Sequence, residues 1–410
     1  MSKKKDVIII GGGASGLFAA IICAKAGKKV LILEHKDRIG KKLLATGNGK
    51  CNYTNLLMPK GCYRGEHPEF VSYALNIFGA EDTITFFKEL GIFPKNKNGY
   101  IYPNSEQAAS VLEVMEMALS YYHVQIVCKE EVTEIIPEKK GFTVKGNQGT
   151  YQGENIILAA GGQVSAKLGS DGSGYKLAKK LGHKVIKPVP ALIGFKCKEN
   201  YFKELAGVRT EAEVSLFIDD LNHYVAKDRG ELQLTNYGIS GIPVFQISRF
   251  GSRAIKDRKK VFVKIDFLPN MEKEEVYKLI WHRFRETEGK TASQAMIGLL
   301  NKKLCSVLLA ESKIDLHSPS KEISKRQQNR LVDNIKGMCI TILDTNGYEN
   351  AQVTAGGIDT EQIEKRTMES KLVPGLYFAG EIVDVDGICG GYNLQWCWSS
   401  AYTAAKDILS

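Results

Sequence analysis

Residues Lys4 to Glu34 read KKDVIIIGGGASGLFAAIICAKAGKKVLILE. An apolar, β-branched run from Asp6 to Ile10 breaks into three glycines. A helix-compatible stretch follows from about Ala14 to Ala26, and a second apolar run, from Lys29, ends at Glu34. The pattern predicts strand, glycine turn, helix and second strand. Gly11, Gly13 and Gly16 fill GxGxxG where the first strand meets the helix. The first permits a tight turn, the second lets the backbone approach a pyrophosphate, and the third lets helix and strand pack closely. Unpaired N–H groups of the first helical turn then face the phosphates. Glu34 is placed to accept hydrogen bonds from a ribose, and its charge favours a free 2′-hydroxyl over a 2′-phosphate. The unit is read as a dinucleotide site.

Two distant segments belong to the same site. ENIILAAGGQ, Glu154 to Gln163, is an apolar strand that runs into Gly161 and Gly162. GLYFAGEIVDVDGICGGYNLQWCWSSA, Gly375 to Ala401, is a strand ending at Gly380-Glu381, then a glycine-rich loop, then a helix beginning near Asn393. That helix start can receive a flavin oxygen or a phosphate. Three strand-to-glycine junctions spread over the chain predict one cofactor domain built from both chain ends. A polar loop, TGNGKCNYTN from Thr46 to Asn55, holds a lone cysteine, Cys51.

Composition limits the alternatives. The chain has 410 residues, 43% hydrophobic and 25% charged, enough for two or three domains. It contains no run of about 18 apolar residues, and the apolar stretch after Met-Ser-Lys-Lys-Lys is broken by glycines, so a cytoplasmic protein is expected. Nine cysteines with no CxxC pair suggest reduced thiols and no metal site. Net charge is +10, and the segment 249–336 alone carries +9. That excess suits either a nucleic acid partner or solvated helix faces.

Pro188 and Pro190 mark an exit from the cofactor domain. Alternating stretches GFKCKE, AEVSLFID, GELQLT and KKVFVKIDFLP predict an inserted β domain over 191–269. EKEEVYKLIWHRFRE, Glu272 to Glu286, and the stretch Thr291 to Leu309 read as helices, with helical character to about Thr341, giving a helical domain over 270–344. The cofactor domain is then 1–190 with 345–410.

TGNGKCN, ILAAGG, GELQLTNYGISG, VTAGGI and the C-terminal block together resemble a bacterial family of FAD-dependent oxidoreductases, labelled the aminoacetone oxidase family and bile-acid-reductase-like flavoproteins. The resemblance runs the whole chain. It implies an α/β fold: a Rossmann-type FAD-binding domain formed by both chain ends, with an inserted β-barrel-like domain and a helical domain. It also implies FAD contacts from Gly11, Gly13, Ala14, Ser15, Gly16, Glu34, His35, Lys42, Thr46, Gly47, Asn48, Gly49, Val132, Ala160, Gly161, Gly162, Gly380, Glu381, Asp386, Gly391, Tyr392, Asn393 and Leu394. Two positions depart from the family: Lys50 stands where arginine is usual and Cys389 where threonine is frequent. Lysine keeps the charge but loses the bidentate fork.

The resemblance puts the loop Thr46 to Asn52 beside the flavin ring. Cys51 is then either a proton donor, with Asn52 and Asn48 holding ring oxygens or substrate, or a small residue packed in a tight loop. Glu381 either orients the pyrophosphate end or caps a helix. Asp384 and Asp386 either bond ribityl hydroxyls or satisfy turn backbone, and Tyr392 and Trp396 either wall the flavin or fill the core. GSDGSG, Gly169 to Gly174, reads as a turn, and His183 as a packed histidine. No second GxGxxG is present, so NADH or NADPH binds transiently, or the substrate supplies electrons to oxygen. Three activities remain open: an NAD(P)H-driven reductase of an activated C=C bond, in a small steroid-like enone or a ribosomal RNA uridine; an oxidase of a small amine such as aminoacetone; or a non-catalytic flavin- or RNA-binding module. Oligomeric state is not legible.

Overall fold

Lys5–Ile10 (β1) ends in the buried run Val7 to Ile10 with no polar alternation, as a strand covered on both faces requires. It lies mid-sheet, parallel to Val30–Glu34 (β2) on one side, with the helix Ala14–Lys25 (α1) as the crossover. Its other neighbour is the long strand Thr150–Leu158, also parallel. The computed structural model describes residues 4–285 and 289–410, which divide into two units, Met1–Pro190 with Tyr348–Ser410 and Ala191–Gly347.

In the first unit the sheet order is Gln125–Cys128, β2, β1, Thr150–Leu158, Gly141–Gly146, Val132–Glu138. Leu376–Phe378 joins the far edge of Thr150–Leu158 in parallel, which brings the C-terminal segment beside the N-terminal one. A hairpin, Pro94–Lys97 (β3) and Tyr100–Pro103 (β4), stands apart from this sheet and pairs with Thr54-Asn55. The C-terminal helix Tyr392–Leu409 (α2) packs on α1 through Trp398, whose ring lies 5.6 Å from Phe18 and 5.3 Å from Phe87. Trp398 Nε1 donates to Tyr53 O at 2.8 Å, and Trp396 Nε1 donates to Gly380 O at 3.1 Å. Buried Gln395 accepts from Thr54 and Thr83 hydroxyls and donates to Phe78 O and Ser399. A buried amide so fully satisfied fixes α2 in register with the loop that follows residue 46.

The second unit is a closed six-stranded barrel in the order Phe195–Cys197, Gly238–Gly241, Ala226–Thr235, Arg209–Ile218, Val261–Asp266, Met338–Thr345. The last strand falls inside the stretch predicted helical to about Thr341. Helix Lys325–Gly337 stops at Gly337, and the alternating Met338, Ile340 and Ile342 turn inward to close the barrel. Barrel and helices share one apolar core, in which Phe284 and Ile335 pack with Val263 and Ile340. The separate β and helical domains drawn at 191–269 and 270–344 are therefore one unit. The helix read over Glu272–Glu286 is seen as Lys273–Arg285, and Glu286 lies outside the described residues, as do Met1 to Lys3. The stretch Thr291–Leu309 breaks into Ala292–Ala295 and Lys302–Glu311, because Gly298 takes a φ of +82° and Asn301 caps the second helix.

Part of the positive segment is spent internally. Lys336 Nζ sits 2.6 Å from Asp266 and donates to Leu268 O, Lys273 pairs with Asp333, and Arg283 donates to Ala295 O. No helix among the described residues is long and apolar enough to cross a membrane.

Candidate cofactor and substrate site

A cleft of about 960 Å³, counting its open mouth, runs along the first unit from the glycine turn to the start of α2. That size suits a ligand of cofactor dimensions. Gly11 takes a φ of +108°, and a Cβ there would meet Ala159 O at 2.4 Å. A Cβ on Gly16 would fall 2.0 Å from Gly11 O, so the helix lies directly on the turn. A Cβ on Gly13 would meet no atom within 4 Å, because this glycine faces the open cleft. No side chain caps the first turn of α1, so its amides remain available to an anion.

Glu34 closes this end. It is buried, its Oε2 accepts from Gly12 N at 2.7 Å and its Oε1 from Lys36 N at 2.8 Å. The carboxylate is thereby held rigidly at the cleft wall. Midway, Lys42 Nζ lies 2.7 Å from Glu381 Oε2, and Glu381 Oε1 accepts from Thr354 N at 2.8 Å. Glu381 thus anchors a lysine in the cleft instead of capping a helix.

Of the predicted cofactor residues, Gly11, Gly13, Ala14, Ser15, Glu34, His35, Lys42, Thr46, Ala160, Gly161, Glu381, Asn393 and Leu394 line the cleft. The others do not line it, and of these Gly47, Asn48 and Gly49 are exposed. Gly16 supports the turn, Gly162 packs on Thr354, and Gly380 packs on Ser15 and donates to Ser400. Gly391 is the N-cap of α2, and Tyr392 donates its hydroxyl to Leu57 O at 2.9 Å. Asp386 is buried in a short ladder with Arg64, and Asp384 accepts from Glu66 N, so both acids tie backbone segments together. Val132 is buried where its strand begins, near Gly146.

Sequence reading missed Arg38, Ser170 and Val385, which also line the cleft. Ser170 belongs to GSDGSG, a turn as expected, but one whose first two residues reach the cleft and whose serine lies 3.4 Å from Lys42 Nζ. Trp396 is both core and wall, and His183 is a packed histidine, its Nε2 2.8 Å from Ser370 Oγ.

The loop at the other end is strained. Gly47, Asn48 and Cys51 all take positive φ, near +55°, and Gly49 is also positive. Cys51 is fully buried and does not line the cleft. Burial pushes its thiol up to about 12, against a smaller lowering by a hydrogen bond with Thr46. Such a thiol stays protonated at neutral pH and is a poor nucleophile, and its full burial favours the packed alternative for Cys51. Asn52 differs: its buried Oδ1 has no hydrogen-bond partner and sits 2.9 Å from where a Cβ on Gly391 would be. An unsatisfied buried acceptor costs about 1–3 kcal/mol unless something donates to it. Outside the cleft, His67, Asp359 and Glu361 bring ligand atoms within 4.8 Å of one another, with Asp359 already paired to Lys184 at 2.8 Å.

Strand, glycine turn, uncapped helix and a buried acid ending the second strand, on the parallel part of a mixed sheet, define a Rossmann-type dinucleotide-binding protein. The comparisons narrow that class. The chain matches the family described as HI0933-like protein Rossmann domain over residues 5–407. It is 46% identical over 400 residues to the 3-dehydro-bile acid delta(4,6)-reductase of Clostridium scindens, covering 97% of each chain. It is 34% identical to the ribosomal RNA dihydrouridine synthase of Haemophilus influenzae, over 100% of this chain and 99% of that one. To the Escherichia coli protein of the same name it is 31% identical, over 99% and 98%. The chain belongs to the HI0933-like family and is an FAD-dependent oxidoreductase.

Proposed function

We propose that the protein uses NADH or NADPH to reduce an activated C=C bond in a small, steroid-like enone. The observation that carries this is the end-to-end 46% identity to a reductase named for such a substrate. Bound FAD supplies the hydride chemistry. The residues around the cleft fit it. The amides at the start of α1 and the Lys42 ammonium would hold the pyrophosphate, and Glu34 would accept from the ribose hydroxyls. The start of α2, with Asn393 and Leu394, borders the ring end, and the unpartnered Asn52 Oδ1 is buried behind it, beside Gly391. Lys42 is held upright by Glu381 and Ser170, so its charge is oriented before a ligand arrives. Among the described residues a nicotinamide donor has no nucleotide fold of its own, and it visits transiently. All nine cysteines are free, which suits a reducing compartment such as the cytoplasm.

A second reading, uridine reduction in ribosomal RNA, is favoured by one surface feature. Lys256, Arg258, Lys259 and Lys260 are all exposed where helix Ile242–Lys256 ends. The test is product analysis. FAD-loaded protein is incubated without oxygen with NADPH or NADH and, in parallel, a steroid enone, an unmodified ribosomal RNA transcript, or aminoacetone. Gain of two hydrogens by the enone supports the proposal. Dihydrouridine with no enone product moves the substrate to RNA, and amine-dependent oxygen uptake in a parallel aerobic assay without nicotinamide moves the enzyme to the oxidases.

A further inference from the structure

This inference rests on the small-enone reading and concerns which enones the site takes. Hairpin β3–β4 lines no part of the cleft but lies beside its Thr46 end, against the neighbouring Gly47 and Gly390. A Cβ on Gly47 would lie 3.8 Å from the Tyr102 ring, and one on Gly390 would lie 2.7 Å from the Tyr100 ring. Gly390 immediately precedes the N-cap of α2, whose Asn393 and Leu394 line the cleft.

At this hairpin three lysines share one carboxylate. Lys95 Nζ is 3.1 Å from Glu106 Oε2, Lys50 Nζ is 3.8 Å from Oε1, and Lys97 donates to Oε1 as well. Lys97 also stands 5.4 Å from the centre of the Tyr102 ring. Three ammonium groups against one acid leave a net charge of +2 within a few ångströms. The lysine side chains are 39–52% exposed, so an incoming anion can reach them. Glu106 itself takes a φ of +53°, a conformation that costs a non-glycine residue about 1–3 kcal/mol and that sets its carboxylate where the lysines meet. Exposed ion pairs of this kind contribute little net stability, so a ligand carboxylate can replace Glu106 cheaply. Beside the lysines lies apolar surface: Leu57 is 58% exposed, Met58 42% and Tyr100 39%. Leu57 packs against Gly99 at the hairpin turn, and its carbonyl holds Tyr392.

An apolar ledge ending in an unbalanced cationic cluster, beside the Thr46 end of the cleft, matches an amphipathic anion. We infer that Lys50, Lys95 and Lys97 recognise the carboxylate of an apolar enone acid, with Glu106 as the internal counter-ion that the substrate displaces. The site selects a charged tail, remote from the bond being reduced.

The test titrates a 3-ketosteroid enone bearing a side-chain carboxylate, and its methyl ester, into FAD-loaded protein, reading the dissociation constant from the flavin absorbance. Wild type binds the acid about tenfold more tightly than the ester, roughly 1.4 kcal/mol, and salt narrows the gap. Lys95→Gln with Lys97→Gln removes the preference while ester affinity stays within about twofold, and Lys95→Arg with Lys97→Arg keeps it. FAD content and Tm report that the variants fold. Equal binding of acid and ester by wild type, or a preference that survives in the Gln variant, overturns the inference and leaves the reductase reading intact. Loss of NADPH affinity in place of acid affinity overturns it too and gives the lysines to the donor phosphate. If wild type binds neither steroid, the small-enone reading falls and takes this site with it.

Discussion

The two ends of the cleft are built differently. At the Glu34 end the shaping groups are partnered: both carboxylate oxygens accept backbone N–H bonds, and Gly11 and Gly16 interlock at contact distance. At the Thr46 end, Asn48, Cys51 and Glu106 hold positive φ, Asn52 Oδ1 lacks a partner and three lysines crowd one acid. The first end is rigid before any ligand arrives, with the α1 amides and His35 Nε2 left open to one, and suits a permanently held nucleotide. The second keeps spare hydrogen-bonding capacity and stored strain, which is where selection and chemistry are expected.

The largest effects should separate structure from binding at the rigid end. Gly16→Val drives a side chain into Gly11 O and should abolish folding, since overpacking against backbone cannot relax. Gly13→Val meets nothing in the protein and should keep Tm within a few degrees while the protein purifies colourless. A yellow Gly13→Val protein would mean that the pyrophosphate does not pass there. Next comes Lys42→Met, which removes the cleft's held charge and should weaken FAD binding by roughly tenfold or more, read by fluorescence titration of the apoprotein. Unchanged affinity would leave Lys42 as a strut for Glu381.

Smaller effects probe the strained end. Cys51→Ala should cost about 1 kcal/mol of stability from lost packing and leave turnover within a few-fold. A hundredfold loss of turnover with FAD retained would return the thiol to proton delivery. The smallest effect is acid sensitivity at Glu106, whose carboxyl is lowered from 4.5 to about 2 by hydrogen bonds from Lys97 and then Lys95. A depressed folded-state pKa contributes stability above the unfolded value and loses it as pH falls through the folded one. Wild type and Glu106→Gln should therefore differ in Tm above about pH 4.5 and converge towards pH 2, with high salt shrinking the gap. A gap that persists at pH 2 would point to packing, not charge.

This contrast also explains what could be read in the sequence. The run from β1 to β2 is legible because its unbroken Val and Ile, glycine spacing and terminal acid are all local signals. The joining of both chain ends is legible because each junction repeats a strand-to-glycine break. The strand Met338–Thr345 was hidden because it follows helix Lys325–Gly337 with only Gly337 as punctuation, and its alternation has meaning only once the barrel is closed. Ser170 was hidden in a turn whose destination depends on tertiary packing. Cys51 looked reactive in a polar loop. It is buried because Tyr53 and the Trp398 indole draw the chain behind that loop into the core, Tyr53 lying 5.1 Å from Phe87. The lysine cluster joins residues 50, 95, 97 and 106, which no periodicity connects.

The most direct test of the central claim is anaerobic stopped-flow spectroscopy of the yellow protein, reduced with NADPH or NADH and then mixed with a steroid enone acid or with air. The account predicts bleaching by a nicotinamide, fast return of colour with the enone and slow return with oxygen. Failure of both nucleotides to bleach the flavin, with bleaching by an amine and fast return in air, would contradict it.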